Sequence, residues 1–208
     1  MNDQPQWLAW ARELQALAQT SLHYTQSEYD KERYERVREI AVAMMAAGSE
    51  AAPETILDLF ARQAGYATPK VDVRAAIIRD DKILMVPELI DGGRWSLPGG
   101  WADVNASPSE CVIREVREET GYVVEVRKLA AVIDRNKHAY LPEPFQAYKL
   151  FFLCEIVGGS PRDSIETGQP AFFALDALPE LSPARVIPQH IARMFDHHAD
   201  PSLPTDYD

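Results

Sequence analysis

The chain has 208 residues, 46% hydrophobic and 25% charged, with 32 acidic against 21 basic side chains and a net charge of −11. This is a globular composition with room for one large domain or a domain plus an accessory. The acidic balance argues against a dedicated grip on nucleic acid or on an anionic membrane, but not against an anionic substrate held through a metal ion. Two cysteines, Cys111 and Cys154, are too few for a disulfide framework. The start, MNDQPQWLAWARELQ, lacks the basic and apolar regions of a signal peptide. No apolar run approaches the roughly 20 residues of a membrane span, and a cytoplasmic protein is expected.

Taken in chain order, residues 1–66 read as a small all-helical domain. Trp7, Trp10, Ala11, Leu14, Leu17 and Ala18 recur at helical spacing and predict a first helix. Tyr29, Tyr34, Val37, Ile40, Ala41, Met44 and Met45 predict a second, closed by Gly48 as a C-cap. A third starts at Pro53 and stops before Gly65. Each stripe needs a partner. The aromatic density (Trp7, Trp10, Tyr24, Tyr29, Tyr34) favours an interface, so a homodimer involving residues 1–66 is expected.

The texture changes at Ala67-Thr68-Pro69, where a second domain, 67–208, begins. VDVRAAIIRDDKILMV holds two β-rich runs joined by a hairpin at Asp80-Asp81. A helix pattern over 108–120 follows, then the β-like runs GYVVEVRKLAAVIDR, QAYKLFFLCEIVGG and AFFAL, and a closing helix near 188–198. Strands with few helices predict an α+β fold, a mixed sheet carrying helices on its faces. The end, HHADPSLPTDYD, reads as a loose polar tail, with His197 and His198 on a solvated surface.

The helix over 108–120 carries the chemistry. Ser107-Pro108-Ser109-Glu110 spells a capping box, and Thr120-Gly121 ends the element. Glu115, Glu118 and Glu119 stand at i, i+3 and i+4 and share a face, beside an apolar stripe of Val112, Ile113 and Val116. One reading is a solvated acidic face paired with Arg114 and Arg117. Against it, like charges at i, i+4 cost a few tenths of a kcal/mol, and a glycine turn lies just upstream. Clustered carboxylates beside a carbonyl suit a hard divalent cation such as Mg²⁺. Such a cation binds phosphates and polarises water.

Gly100, followed by Arg114-Glu115-Val116-Arg117-Glu118-Glu119-Thr120-Gly121, resembles the signature of the Nudix hydrolases. Six strict matches give a chance rate on the order of 10⁻⁷ per start position. The resemblance covers roughly 70–180 and implies an α/β/α sandwich using Mg²⁺ or Mn²⁺ to hydrolyse a nucleoside diphosphate linked to another group. It implies Glu115 and Glu119 as metal ligands, with Glu118 a third ligand or an acceptor for Arg114. The Gly100 carbonyl would complete the shell. Glu166 is the candidate for a further glutamate that joins the metal or acts as base, or else a plain loop carboxylate. The sequence departs at Ala106, where the family has a glutamate thought to pair with the motif arginine; Glu110 and Glu118 are the expected substitutes.

A narrower resemblance, through YTQSEYDKERYERVREIA, PKVDVRAAI and the 97–110 stretch, is to the two-domain subfamily acting on X-linked nucleoside diphosphates. It implies CDP-choline as leading substrate, giving CMP and phosphocholine, with ADP-ribose or another NDP-sugar next. The rival is a catalytically silent nucleotide-binding regulator on the same scaffold, favoured only by Ala106. Arg74, inside an apolar strand, is either a phosphate contact or half of an internal ion pair. Lys137 and His138 either meet substrate or lie on a solvated loop. Trp101 would wall the pocket and Trp95 belongs to the core. Phe145 and Tyr148 read as core or interface aromatics, and Cys111 as packing.

Overall fold

The computed structural model describes residues 5–141 and 143–208. These form two compact units: the described residues up to Pro69 with the 143–146 stretch, and Lys70–Leu141 with Ala147–Asp208.

The first unit is helical: α1 (Gln6–Tyr24), α2 (Glu28–Ala47) and α3 (Pro53–Ala61). Ser27 caps α2 by accepting from the Asp30 amide, and Pro53 opens α3. Gly48 does close α2, but not in the left-handed conformation (φ −103°). Its need for glycine is packing, since a Cβ there would lie 2.3 Å from the Trp7 ring. The buried stripe of α1 is Leu8, Ala11, Gln15 and Ala18. It is rotated from the expected one, which leaves Trp10 and Leu17 more than half exposed. Gln15 is buried, yet neither amide atom has a hydrogen-bond partner among the described residues, a cost of about 1–3 kcal/mol. The chain returns to this unit at 143–146, where Phe145 packs edge-on against Phe60 and Arg12 donates to the Glu143 carbonyl.

The second unit opens with β1 (Lys70–Ala76), then β2 (Ile78–Arg79) and β3 (Lys82–Glu88). Asp80 and Asp81 form the expected two-residue turn, both with positive φ (51° and 54°). β4 (Arg94–Ser96), α4 (Pro108–Thr120), β5 (Tyr122–Asp134), β6 (Ala147–Gly159), β7 (Ala171–Ala174), α5 (Pro188–Ala199) and β8 (Asp206–Tyr207) follow. One mixed sheet has the order β1-β6-β5-β8, parallel at β1–β6 and β5–β8 and antiparallel at β5–β6. In the other sheet, β3 pairs with β2, β4 and β7.

Alternation along the strands feeds two cores. Val73, Ala75, Leu84, Val124 and Phe152 pack on Cys111, Val112 and Val116 of α4. Ala76, Ile83, Met85, Ala131 and Phe151 pack on Ile191 and Met194 of α5. A mixed sheet and an antiparallel one, with helices packed on them, are the expected α+β class.

The tail is not loose. β8 pairs with β5 at Ala131 and Val132. His197 is fully buried, 3.0 Å from both Lys128 Nζ and Asp206 Oδ2. Arg193 and His197, at i and i+4 on α5, both hold Asp206, so tail polarity reflects internal pairing rather than solvation. His198 is exposed, as expected.

Candidate active site

The capping box forms as spelled. Ser107 Oγ accepts from the Glu110 amide, and Glu110 Oε2 accepts from the Ser107 amide at 2.7 Å. Gly121, in the left-handed region (φ 76°), ends α4. With both ends fixed and three apolar residues buried, at about 1.5–3 kcal/mol each for the two valines, the acidic face is held rigidly beside the glycine turn.

That turn is an extended stretch hydrogen-bonded to β1: Ala75 N–H donates to Pro98 O and Val73 N–H to Gly100 O, each at 2.8 Å. At Gly99 (φ 140°) a Cβ would fall 2.0 Å from the Val73 carbonyl, so only glycine fits. The Gly99 amide donates to Glu119 Oε2 at 2.8 Å, and a methyl at Gly100 would meet Glu115 Oε2 at 3.2 Å. The turn and two of the three carboxylates are therefore in contact.

Their electrostatics are unbalanced. Glu119 is 7% exposed. Burial pushes its carboxyl up to about 8, against the pull of Arg74 and the Gly99 N–H, and the Glu88 and Glu115 charges add to the rise. Burial also raises Glu115, with Arg114 opposing. Glu118 points outward, its side chain 62% exposed, 3.8 Å from Arg114 Nε. Among the described residues no three His, Cys, Asp or Glu side chains converge tightly enough to hold a metal as they stand. The donors still fit a hard divalent cation. All are oxygens, and Glu119 is a buried and Glu115 a partly buried carboxylate that added positive charge would stabilise. The Gly100 carbonyl, expected as a ligand, already accepts from Val73. That hydrogen bond uses one lone pair of the carbonyl oxygen and leaves the other for a cation.

Arg114 is held only in part as expected: Glu118, one of its two expected partners, lies 3.8 Å away. The arginine pairs with Asp103 at 2.9 Å and Glu115 at 3.0 Å, while Glu110 is engaged by its cap. Asp103, on the same loop as Ala106, is the near partner that the glutamate count along the helix did not reveal.

Arg74 is in the internal ion pair that was one of its two expected readings. Its guanidinium grips both Asp72 oxygens at 2.9 Å and donates to Ser96 Oγ and the Leu97 carbonyl. Lys149 reaches Asp72 at 2.8 Å from across the sheet. Burial alone would raise Asp72, but the two cations hold it at about 2. Burial also lowers Lys149 to about 8, with Asp72 opposing.

Lys137 is exposed on the turn after β5. His138 is tied into a chain in which Tyr140 O–H donates to His190 Nδ1 (2.8 Å), His190 to His138 Nδ1 (3.2 Å) and His138 to Asp208 (2.8 Å). Among the described residues, neither hydrogen-bonds to the acidic helix. Trp101 is half exposed next to the glycine turn, with Lys70 Nζ 5.9 Å from its ring centroid. Trp95 packs edge-on against Phe173 in the core.

Glu166 is exposed on the loop between β6 and β7, and its carbonyl accepts from the Leu89 amide at 3.2 Å. Its charge acts on Glu88, whose charge acts in turn on Glu119. Glu88 was not foreseen. It is a buried carboxylate at the end of β3, 3.1 Å from Arg185 and 4.0 Å from Arg74. In sequence it is only the charge that ends an apolar run.

The description "UDP-X-like, N-terminal oligomerisation domain" fits residues 5–60, and the NUDIX domain fits residues 68–195. A Bacillus subtilis protein, YjhB, provisionally named an ADP-ribose pyrophosphatase, is 42% identical over 99% of this chain and 98% of its own length. A crystal structure of UDP-X diphosphatase superposes with TM-score 0.63 at 32% identity, covering 97% of this chain and 98% of that one. An ADP-ribose pyrophosphatase from Streptococcus suis superposes with TM-score 0.62 at 39% identity, over 68% of this chain and all of that one. With the Gly100 turn against Glu115 and Glu119 at its centre, the chain belongs to the Nudix family and is a Nudix hydrolase.

Proposed function

We propose that the protein hydrolyses the pyrophosphate bond of a nucleoside diphosphate linked to X, using a divalent cation held by Glu115 and Glu119. The Gly100 carbonyl and, after a side-chain rotation, Glu118 complete the oxygen set. The observation that carries this reading is Glu119, a buried carboxylate held by a glycine-turn amide and lacking enough local positive charge to stay ionised. A bound Mg²⁺ or Mn²⁺ would neutralise diphosphate charge and activate water. The chain's own residues orient and exclude. The capped helix fixes the carboxylates, Trp101 offers a flat wall to a base or sugar, and Glu166 is an exposed carboxylate able to take a proton from water.

ADP-ribose is the first substrate, because two similar proteins carry that activity in their names; its hydrolysis would give AMP and ribose 5-phosphate. CDP-choline, favoured by the sequence resemblance, comes next. A panel of ADP-ribose, CDP-choline and UDP-sugars with Mg²⁺ or Mn²⁺, scored for nucleoside monophosphate, tests the reading. Cation-dependent release is expected. No release from any compound by folded protein with either cation would leave the silent nucleotide binder.

The helical unit supports a homodimer. Trp10, Leu14, Leu17 and Met44 line an apolar groove on it, and large exposed apolar surface favours association. Light scattering is expected to give twice the chain mass; a clean monomer at micromolar concentration would refute the dimer. Among the described residues no helix is long and apolar enough to cross a membrane.

A further inference from the structure

The segment that carries Glu166 is built around one buried hydroxyl. Thr167 is fully buried, and its Oγ1 donates to the main-chain carbonyl of Glu119 at 3.0 Å. That carbonyl lies in the last turn of α4, where helix geometry leaves acceptors without intrahelical donors. The loop is otherwise a closed unit. Ser164 Oγ accepts from the amides of Glu166 (3.1 Å) and Thr167 (3.0 Å), and Ser164 N–H donates to Thr167 O at 2.9 Å. It is pinned to β3 by Leu89 N–H to Glu166 O (3.2 Å) and Gly168 N–H to Pro87 O (3.0 Å). Upstream, Arg162 N–H donates to Thr120 O at 2.9 Å. Residues 162–168 thus wrap the end of the catalytic helix, and Thr167 is where the loop's side chains meet the residue that bears the buried carboxylate.

We propose that Thr167 is a positioning residue: its hydroxyl locks the Glu166 loop to the main chain of Glu119, so that the loop carboxylate and the helix carboxylates keep one fixed spacing. The proposal rests on the catalytic reading of Glu166 above. Ordinary capping would need no particular loop residue beside it. Here the residue next in sequence to Thr167 is the exposed carboxylate that faces the substrate in that reading. Serine keeps the hydroxyl, whereas valine keeps the shape and removes the donor. A displacement of about 1 Å at a reacting group costs on the order of 10²-fold in rate.

The test is steady-state hydrolysis of whichever NDP-X the full-length protein turns over, with Mg²⁺, comparing wild type, Thr167→Val, Thr167→Ser, Glu166→Gln and the Glu166→Gln/Thr167→Val double variant, with melting temperatures alongside. Thr167→Val is expected to lower kcat about 10- to 10²-fold with KM little changed, and Thr167→Ser to restore most of it. The double variant should be no slower than Glu166→Gln alone, because the lock matters only through the carboxylate it places. Thr167→Ala is the fallback if valine does not fold. Normal kcat in a folded Thr167→Val, independent multiplication of the two losses, full activity in Glu166→Gln, or loss of folding in both the valine and alanine variants would each overturn the proposal. Glu119→Gln separates the failures. If it is inactive while Thr167→Val is normal, only the lock is wrong; if it is fully active, the catalytic reading itself falls.

Discussion

Asp72 and Glu119 are two carboxylates buried to the same degree, 5% and 7% exposed, in neighbouring parts of one unit. Asp72 sits between Arg74 and Lys149 and is held at about 2. Glu119 has one amide donor and a distant share of Arg74, and is pushed up to about 8. The first is closed, because its compensation is internal and complete. The second is open, because the chain itself brings too little positive charge to it to offset its burial. Burial is therefore no guide to role, whereas the balance of nearby charge separates a structural carboxylate from a functional one.

The contrast breaks most sharply at Asp72. Asp72→Asn takes the nearest anion from buried Lys149 and leaves Arg74 only the looser Glu88 at 4.0 Å, and is expected to lower unfolding free energy by about 3–5 kcal/mol, read by denaturant titration. A variant of near wild-type stability would mean the cluster is not compensated as described. Glu119→Gln should do the opposite. It keeps or raises the melting temperature in metal-free buffer, since an uncompensated carboxylate is gone, while turnover falls by about 10²-fold or more. Near-normal turnover in the folded variant would remove Glu119 from the metal site.

A smaller effect comes from His190, lowered to about 4 by burial, then by the charges of His138 and Lys149. The unfolded chain binds a proton at this group near the ordinary histidine value of 6.5, and the folded chain does not until about 4. The contribution of His190 should therefore be level above pH 6.5 and shrink as pH drops from 6.5 to 4, by on the order of 3 kcal/mol. The pH slope of denaturant midpoints across that range should differ between wild type and His190→Gln by this amount. An unchanged slope would assign the dependence elsewhere. The smallest effects lie on the loop before α4. Ser107→Ala should cost about 1 kcal/mol through the cap. Asp103→Asn, at a largely exposed pair, should cost less than about 1 kcal/mol and leave turnover within a few-fold. A large loss of turnover would show that Arg114 depends on Asp103 alone.

The acidic helix was legible because its signals are local. Ser107, Pro108 and Glu110 fix its start, Gly121 its end, and the spacing of Glu115, Glu118 and Glu119 its acidic face. Partners distant in sequence were not legible. Asp72 against Lys149, Arg114 against Asp103, His197 against Asp206 and Glu119 against Thr167 are set by strand register and loop path, which composition does not encode. The tail misled for that reason, its polar residues resembling solvated ones until their partners on α5 are known. On α1, apolar counting chose the stripe with Trp10 and Leu17, whereas packing buried Leu8, Ala11, Gln15 and Ala18.

The most direct test of the open carboxylate is calorimetric titration of Mn²⁺ into wild type, Glu119→Gln and a charge-cluster control, Lys149→Met, at one pH. The account predicts saturable binding to wild type, affinity weaker by on the order of 10²-fold in Glu119→Gln, and wild-type affinity in whatever fraction of Lys149→Met is folded. Equal Mn²⁺ affinity in wild type and folded Glu119→Gln would contradict it.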